Sequence, residues 1–477
     1  METKIFTLNE VQNLDKLSCH NYDPELLALI KKLTTNQEVV SLKKLSEKIT
    51  YGSGKWELRT TDYVPESYPD RVKLLQISNI DDNGQIIETE RDKYISSDLH
   101  AKWAVSKVRK GDLVIAITGT LGRIALFDKN YEANLNQALG IIRLKKEFNG
   151  VKILPEFVHL YLNSYYAVEQ FMGLGGYRAG QSGLSLDEIG SIYIVLPEEK
   201  KQIEILEKVK KIRDEASEQN NQFKKSLQDI SNTVDNYINF DLSQVSKTWI
   251  TGNEEIIDRI DCYFHSQQLK LIHKKIKELD KKDFDIIKAG DLNLIKAVSK
   301  KWVDKNKFHI FKYIDIGNTE KELGDIKGFE EDILLNLPSR SRMFTLTDDL
   351  LLPRPIGSTQ GIIKIKKEFD KQFFSTGNIQ IRPNSSDEAF LLWAILKSNT
   401  VQNQLFYLQS GSSQPDITPE NFKKYVLIPI PKGEIKEKII KDIKSIYGMA
   451  REYKSNVKSK ESEVYKTFVK EIDKELK

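Results

Sequence analysis

Cysteine is nearly absent from this chain of 477 residues: the two present, Cys19 and Cys262, cannot build a disulfide framework or a four-sulfur zinc site. Neither CxxC nor HExxH occurs. Cys19 with His20 and Cys262 with His265 read as small buried side chains rather than metal ligands, so no metal is expected. Long apolar runs are missing too. None approaches the roughly 18 residues of a membrane span, and the start, METKIFTLNEV, lacks a signal pattern, so the expected compartment is the cytoplasm. Nor is there an excess of one charge. Lys+Arg 73 against Asp+Glu 69 leaves +4, and any nucleic-acid surface has to come from local segregation of charge.

Catalytic signatures are also lacking. Phe171-Met172-Gly173-Leu174-Gly175 resembles a cofactor turn, but it follows a helical segment instead of a strand, and no Pro-Pro dipeptide exists for a methyltransferase motif. Gly52-Ser53-Gly54-Lys55 misses the first glycine of a phosphate loop and carries Trp56 where Ser or Thr belongs. Glu198-Glu199-Lys200 opens a helix and has no strand-borne aspartate before it. The six histidines form no Ser/His/Asp set that spacing identifies. The expectation is no catalytic residue and no metal.

What is present is a globular composition, 39% hydrophobic and 30% charged, over a length that suggests two to four domains. The chain also repeats itself. LDKLSCHNYDPELLALIKKL reads against IDRIDCYFHSQQLKLIHKKI, pairing Asp15 with Asp258 and Cys19 with Cys262 at an offset of 243. GDLVIAITGTLGRIALF matches DDLLLPRPIGSTQGIIKI, each a strand, a Gly-rich turn and a second strand, with Gly122 and Gly361 offset by 239. PEFVHLYLNSYYAVEQF and DEAFLLWAILKSNTVQNQLF each read as a helix, with Leu162 and Ser164 offset by 234 from Leu396 and Ser398. A polar loop follows each, GLGGYRAGQSGLSLDEI or LQSGSSQPDITPENF, then a strand ending at Pro197 or Pro431.

Each copy closes on a long amphipathic stretch. In the first, Val209, Ala216, Phe223, Ile230 and Tyr237 recur every seven residues beside Leu206, Leu227 and Val234; in the last, Ile443, Ala450, Val457 and Val464 do so beside Ile439, Ile446 and Tyr453. Forty residues of helix span about 60 Å. The fold expected is α+β: two mixed modules joined by two long antiparallel coiled-coil helices with pseudo-two-fold character. The domains are 1–197 with its lead helix, a central helix 198–240, 241–431, and a C-terminal helix 432–477. Such a doubled object suits two half-sites on duplex DNA, whose face returns every turn of about 34 Å.

The order of strand, GDLVIAITGTLGRIAL turn, PEFVHLYLNS helix, GQSGLSLDEI loop, IVLP strand and EEKKQIEILEKV helix, given twice, resembles the specificity subunits of type I restriction-modification systems across essentially the whole chain. The second copy departs from the pattern: GSTQG is longer than GTLG, and Pro353 and Pro355 are expected to break the strand before it. The lead segments around Cys19 and Cys262 fit the commonest form of the family less well. The resemblance implies a non-catalytic subunit binding double-stranded DNA, two copies of an S-adenosylmethionine-dependent adenine-N6 methyltransferase and two ATP- and Mg-dependent restriction subunits, with no cofactor in this chain. A coiled-coil scaffold, a regulatory DNA-binding protein, or a subunit of a modification-only system are the alternatives.

Base edges are read by Arg, Lys, Asn or Gln on loops, with further basic residues on phosphates. In the first copy the candidates are Lys55, Arg59, Arg123, Arg178 and Gln181; in the second, Lys300, Lys301, Arg340, Arg342, Arg354, Gln360 and Gln414.

Overall fold

The computed structural model describes residues 24–34, 39–52, 62–81, 84–89, 92–118, 123–174, 177–178, 181–238, 266–411 and 415–476. Cys19, His20, Lys55, Arg59, Cys262, His265 and Gln414 therefore lie outside the described residues. The chain divides into two compact units, Met1–Glu218 with Asn456–Lys477, and Gln219–Ser455.

In the first unit α1 (Pro24–Thr34) leads into β1 (Val39–Ser41), α2 (Leu42–Leu45) and β2 (Ser46–Tyr51). Next come β3 (Tyr63–Val64), β4 (Val72–Leu75), β5 (Lys93–Ile95), α3 (Ser97–Lys102) and β6 (Lys107–Val108). Then β7 (Leu113–Ala116), β8 (Ile124–Leu126), β9 (Ala133–Leu135) and β10 (Leu139–Leu144) complete two sheets, ordered β2-β10-β7-β8 and β3-β5-β4-β9-β6. In the second of these β4 and β9 run parallel. A hairpin, β11 (Glu147–Phe148) and β12 (Val151–Lys152), turns at Asn149 and Gly150, both at positive φ, as a two-residue loop requires. The chain continues through α4 (Pro155–Leu162), α5 (Tyr165–Leu174), β13 (Tyr177–Arg178), β14 (Gln181–Ser182) and α6 (Leu186–Ser191) to β15 (Tyr193–Val195), which pairs with β1.

The continuous apolar run of β7 follows from burial on both faces. Leu113 and Ile115 enter the cluster built with Phe157, Val158 and Tyr161 of α4, while Val114 and Ala116 point the other way, among Leu75, Val108 and Leu135 of the second sheet. Alternate side chains of one strand thus cement two layers.

The long helix α7 (Glu199–Ile238) follows, and each unit takes part of it. The second unit then has α8 (Gln267–Lys277), β16 (Phe284–Lys288), β17 (Leu294–Ile295), α9 (Lys300–Asn306), β18 (Ile310–Ile314) and β19 (Glu330–Ile333). β20 (Ser341–Phe344), β21 (Leu350–Pro353), β22 (Ile363–Lys364), β23 (Phe373–Ser375) and β24 (Asn378–Ile381) come next. α10 (Ser386–Lys397), α11 (Asn399–Tyr407), α12 (Pro419–Tyr425), β25 (Leu427–Pro431) and the long α13 (Gly433–Glu475) finish the chain. The sheets are ordered β17-β24-β21-β22 and β19-β18-β23-β20, with β18 and β23 parallel and β25 paired to β16. Strand by strand this repeats β2-β10-β7-β8 and β5-β4-β9-β6. Burial repeats too: Leu350 and Leu352 face the helices, and Leu351 faces Ile314 and Phe374.

Two local expectations need correction. Each segment read as one helix is two, broken at Ser164 and at Ser398, whose hydroxyls donate to the carbonyls of Tyr161 and Ile395, both at 2.6 Å. A side chain that satisfies the backbone at i−3 competes with helix continuation. Pro353 does not break its strand either. It ends β21 opposite Asn378, and Pro355 bridges to Asp416 instead.

The heptad rows are packed within each unit. In the first, Ile205 and Val209 of α7 join Val464, Phe468 and Ile472 of α13 in the cluster containing Phe157. The run is antiparallel: Lys201 meets Glu475 at 3.6 Å, Lys208 meets Glu471 at 3.2 Å, and Lys460 meets Glu215 at 2.7 Å. Ala216 is buried, and Leu206 and Val457 are half-buried. In the second unit Phe223, Ile230 and Val234 share a core with Ile439, Ile443 and Ala450, and Leu227, Tyr237, Ile446 and Tyr453 pack against it. No helix among the described residues is long and apolar enough to cross a membrane.

Candidate nucleic-acid interface

Both units bring the same two loops together. In the first, the chain leaving β7 runs beside the end of the polar loop: Leu184 N–H donates to the Ile117 carbonyl at 3.1 Å, and Thr118 bridges to Gly183. In the second, Ile417 N–H donates to the Arg354 carbonyl at 3.0 Å, Ile356 N–H donates to that of Pro415 at 3.0 Å, and Pro355 bridges to Asp416. A capped helix then fixes the exit of each loop. Ser185 accepts from Glu188 N–H while the Glu188 carboxylate takes Ser185 N–H, and Thr418 accepts from Asn421 N–H. Two loops at strand ends, held by a rigid sheet, can present polar side chains to base edges.

The arginines singled out above do different things. Arg340 is 62% exposed and its Nη2 lies 3.1 Å from Asp315 Oδ2. Arg342 instead aims Nε and Nη2 at one backbone oxygen, that of Val298, at 3.2 and 2.8 Å. Arg354 pairs with Asp416 and donates Nε–H to the Ile417 carbonyl at 3.3 Å, which ties the two loops together. Arg123 donates to the Ile80 carbonyl at 3.0 Å. All four thus spend donors on their own fold, and Arg340 does so from an exposed position. Arg178 and Gln181 sit opposite each other in β13 and β14. Lys300 and Lys301 open α9, exposed, behind the capping hydroxyl of Ser299. Gln360 is exposed in the turn after β21.

Arg340 and Arg354 are brought to one place by the turn after β23, where Thr376 N–H donates to the Arg340 carbonyl and Arg354 N–H to that of Gly377. Lys300 and Lys301 are not part of that group; they follow Val298, which is fastened to β20 through Arg342.

Several buried polar groups that support the loops were not anticipated, although the repeat offset could have found them. Asp112, just before β7, accepts two bonds from Arg143, and Asp349 accepts two from Arg382. Hydrogen bonding to the carboxylate raises the pKa of each guanidinium. Gln170 donates to the carbonyl of Tyr193 and accepts its N–H, and Gln404, 234 residues on, does the same for Leu427. His159 Nε2 lies 3.2 Å from the Ile124 carbonyl, and Trp393, again 234 on, donates to that of Ile362 at 3.0 Å. Burial pushes the pKa of His159 down to about 4, which leaves the ring neutral and able to donate through one nitrogen.

Among the described residues no group of three or more His, Cys, Asp or Glu is placed to hold a metal ion. Phe171 to Leu174 end α5, and Glu199 and Lys200 begin α7.

Residues 86–229 match the type I restriction modification DNA specificity domain family. Over 143 residues the chain is 25% identical to the type I restriction enzyme EcoBI specificity subunit of Escherichia coli, a stretch covering 30% of this chain and 29% of that protein's length. The crystal structure of a type I restriction-modification S subunit from M. genitalium aligns at 14% identity over 92% of this chain and 98% of that one, with a TM-score of 0.38. The HsdS subunit from Thermoanaerobacter tengcongensis aligns at 15% identity over 92% and 96%, with a TM-score of 0.31. The resemblance drawn from the strand–turn–strand and polar-loop motifs of the first copy is thus matched where those motifs stand, by the type I restriction modification DNA specificity domain family over residues 86–229.

Proposed function

We propose that this chain is the specificity subunit of a type I restriction-modification complex, which reads a bipartite, asymmetric DNA target with one unit per half. The observation that carries the reading is the repeated loop pair, 117–118 against 183–184 and 354–356 against 415–417, in a chain whose first copy matches a DNA specificity domain. The loop residues differ between the copies, so the two halves of the target differ. The chain itself carries no catalytic group. It positions two adenine-N6 methyltransferase subunits, which bring S-adenosylmethionine, and restriction subunits, which bring ATP and Mg. Its affinity for DNA falls with salt as phosphate contacts release counterions.

The test is an adenine-methylation map of a methylation-free host expressing this chain with the methyltransferase encoded beside it, compared with the methyltransferase alone. Marks that require this chain, at a split sequence with unlike halves and a constant gap, are expected. No new mark, with both proteins expressed and folded, overturns the reading in favour of a scaffold or regulatory protein.

A further inference from the structure

The turn from Gly357 to Gly361 in the second unit is fastened from beneath by two side chains that the first unit lacks. Lys397, the last residue of α10, is 8% exposed, and no carboxylate pairs with it among the described residues. Its three protons go to backbone carbonyls, those of Lys321 at 3.1 Å, Glu322 at 2.8 Å, and Gln360. The Trp393 ring centroid lies 5.2 Å from its Nζ. Gln402, on α11, accepts the Thr359 hydroxyl at 2.7 Å and donates Nε2–H to the carbonyls of Thr359 and Leu396, at 3.2 and 2.7 Å. Successive residues of the turn, 359 and 360, are therefore both anchored while the Gln360 side chain stays exposed.

At the repeat offset of 234 the first unit carries Asn163 and Val168 in these places. Asn163 donates to the carbonyls of Ile124 and His159, and Val168 is exposed. The Lys and Gln thus accompany the longer turn, GSTQG, and the copy with the shorter GTLG has Asn and Val at their positions. A long glycine-containing turn left free would lose conformational freedom on meeting DNA. Two buried side chains that hold it beforehand remove that cost.

We infer that Lys397 and Gln402 are positioning residues for the second half-site: they hold the Gly357–Gly361 turn in one conformation, so that Gln360 is presented to DNA. This rests on the function proposed above.

The test uses the full chain assembled with its methyltransferase. Methylation is measured on the target and on duplexes with single base-pair changes in either half. Lys397→Met and Gln402→Val each lower discrimination in one half by about tenfold, and leave the other half and binding to unrelated DNA as in wild type. Lys397→Arg, which keeps charge and donors and has an adjacent cavity of about 220 Å³ to enter, restores discrimination. The retained half reports a folded chain. If Lys397→Met unfolds the second unit, Gln402→Val decides. Equal loss in both halves, or full discrimination in the variants, overturns the inference alone. A wild-type chain that directs no methylation overturns the functional reading and the inference with it.

Discussion

Asp112 and Arg143 meet through two hydrogen bonds, Nε to Oδ1 at 2.7 Å and Nη2 to Oδ2 at 2.6 Å. In the second unit Asp349 and Arg382 repeat the pair, with both bonds at 2.7 Å. Each aspartate precedes the apolar strand that runs to the glycine-rich turn, and each arginine lies in or just after the strand beside it. The pair therefore pins the base of the loop-bearing hairpin. The aspartates are 2% and 1% exposed, and besides the arginine each accepts a local N–H, from Arg109 in one case and Leu346 in the other.

Asp349→Ala leaves the Arg382 guanidinium and the Leu346 N–H without their acceptor, and the Gln380 amide with the Phe344 carbonyl alone. Because Arg382 keeps 31% of its side chain in water, the expected loss is at the lower end for a broken buried pair, roughly 3 kcal/mol. The midpoint of the second unit's urea transition measures it. An unchanged midpoint contradicts the structural role.

Gln404→Leu is nearly equal in volume but abandons Leu427 N–H and carbonyl inside the fold. A loss of about 2 kcal/mol is expected. Gln170→Leu should cost a similar amount in the first unit through Tyr193, and equal chevron or melting shifts for the two variants would confirm that the repeat extends to this clamp.

Two imidazoles, the buried His159 and the half-buried His273, make stability depend on pH. Burial pushes His159, and likewise His273 beside Gln404, from 6.5 down to about 4. The unfolded chain binds those protons more readily, so the stabilisation is complete above about pH 6.5 and is lost as the pH falls toward 4. Urea midpoints collected from pH 7 to pH 4 should decline, and decline less steeply in His159→Gln. In more acid solution Asp325 follows: burial raises its pKa, but Lys366, Lys454 and Arg451 outweigh that and hold it well below the usual range.

Arg340 and Arg342 are neighbours but one in sequence, with opposite expectations. Arg340→Ala removes an exposed guanidinium and should weaken binding to one half of the target by roughly 1–3 kcal/mol with little change in melting temperature. Arg342→Ala frees the Val298 carbonyl and should lower stability by about 1 kcal/mol while sparing base discrimination. Titration of the two variants against target and mutated duplexes, beside thermal melts, separates the roles; matching profiles would contradict the assignment.

Phe223→Asp places a carboxylate among Ile230, Ala450 and the rest of the second unit's core, where it has no partner. The cost is several kcal/mol. Limited proteolysis should release a resistant fragment of the first unit, and an intact, protease-resistant full chain would refute the packing.

Periodic burial and local turn chemistry are properties of short stretches, and these were legible in the sequence by itself. The doubling, the apolar runs of β7 and β21, the glycine turns that follow them, the polar loops before α6 and α12, and the heptad rows of α7 and α13 all come from short local spacings, compared across offsets that fall from 243 to 234. Tertiary structure decided what such spacings do not encode. It broke the two helices at Ser164 and Ser398, where a hydroxyl takes the i−3 carbonyl. It committed Arg342 and Arg354 to Val298, Asp416 and Ile417 while leaving Arg340 exposed. It also chose Asp112 for Arg143 and three carbonyls for Lys397. A charged side chain takes whichever acceptor the folded chain brings within about 3 Å, and those acceptors lie tens of residues away.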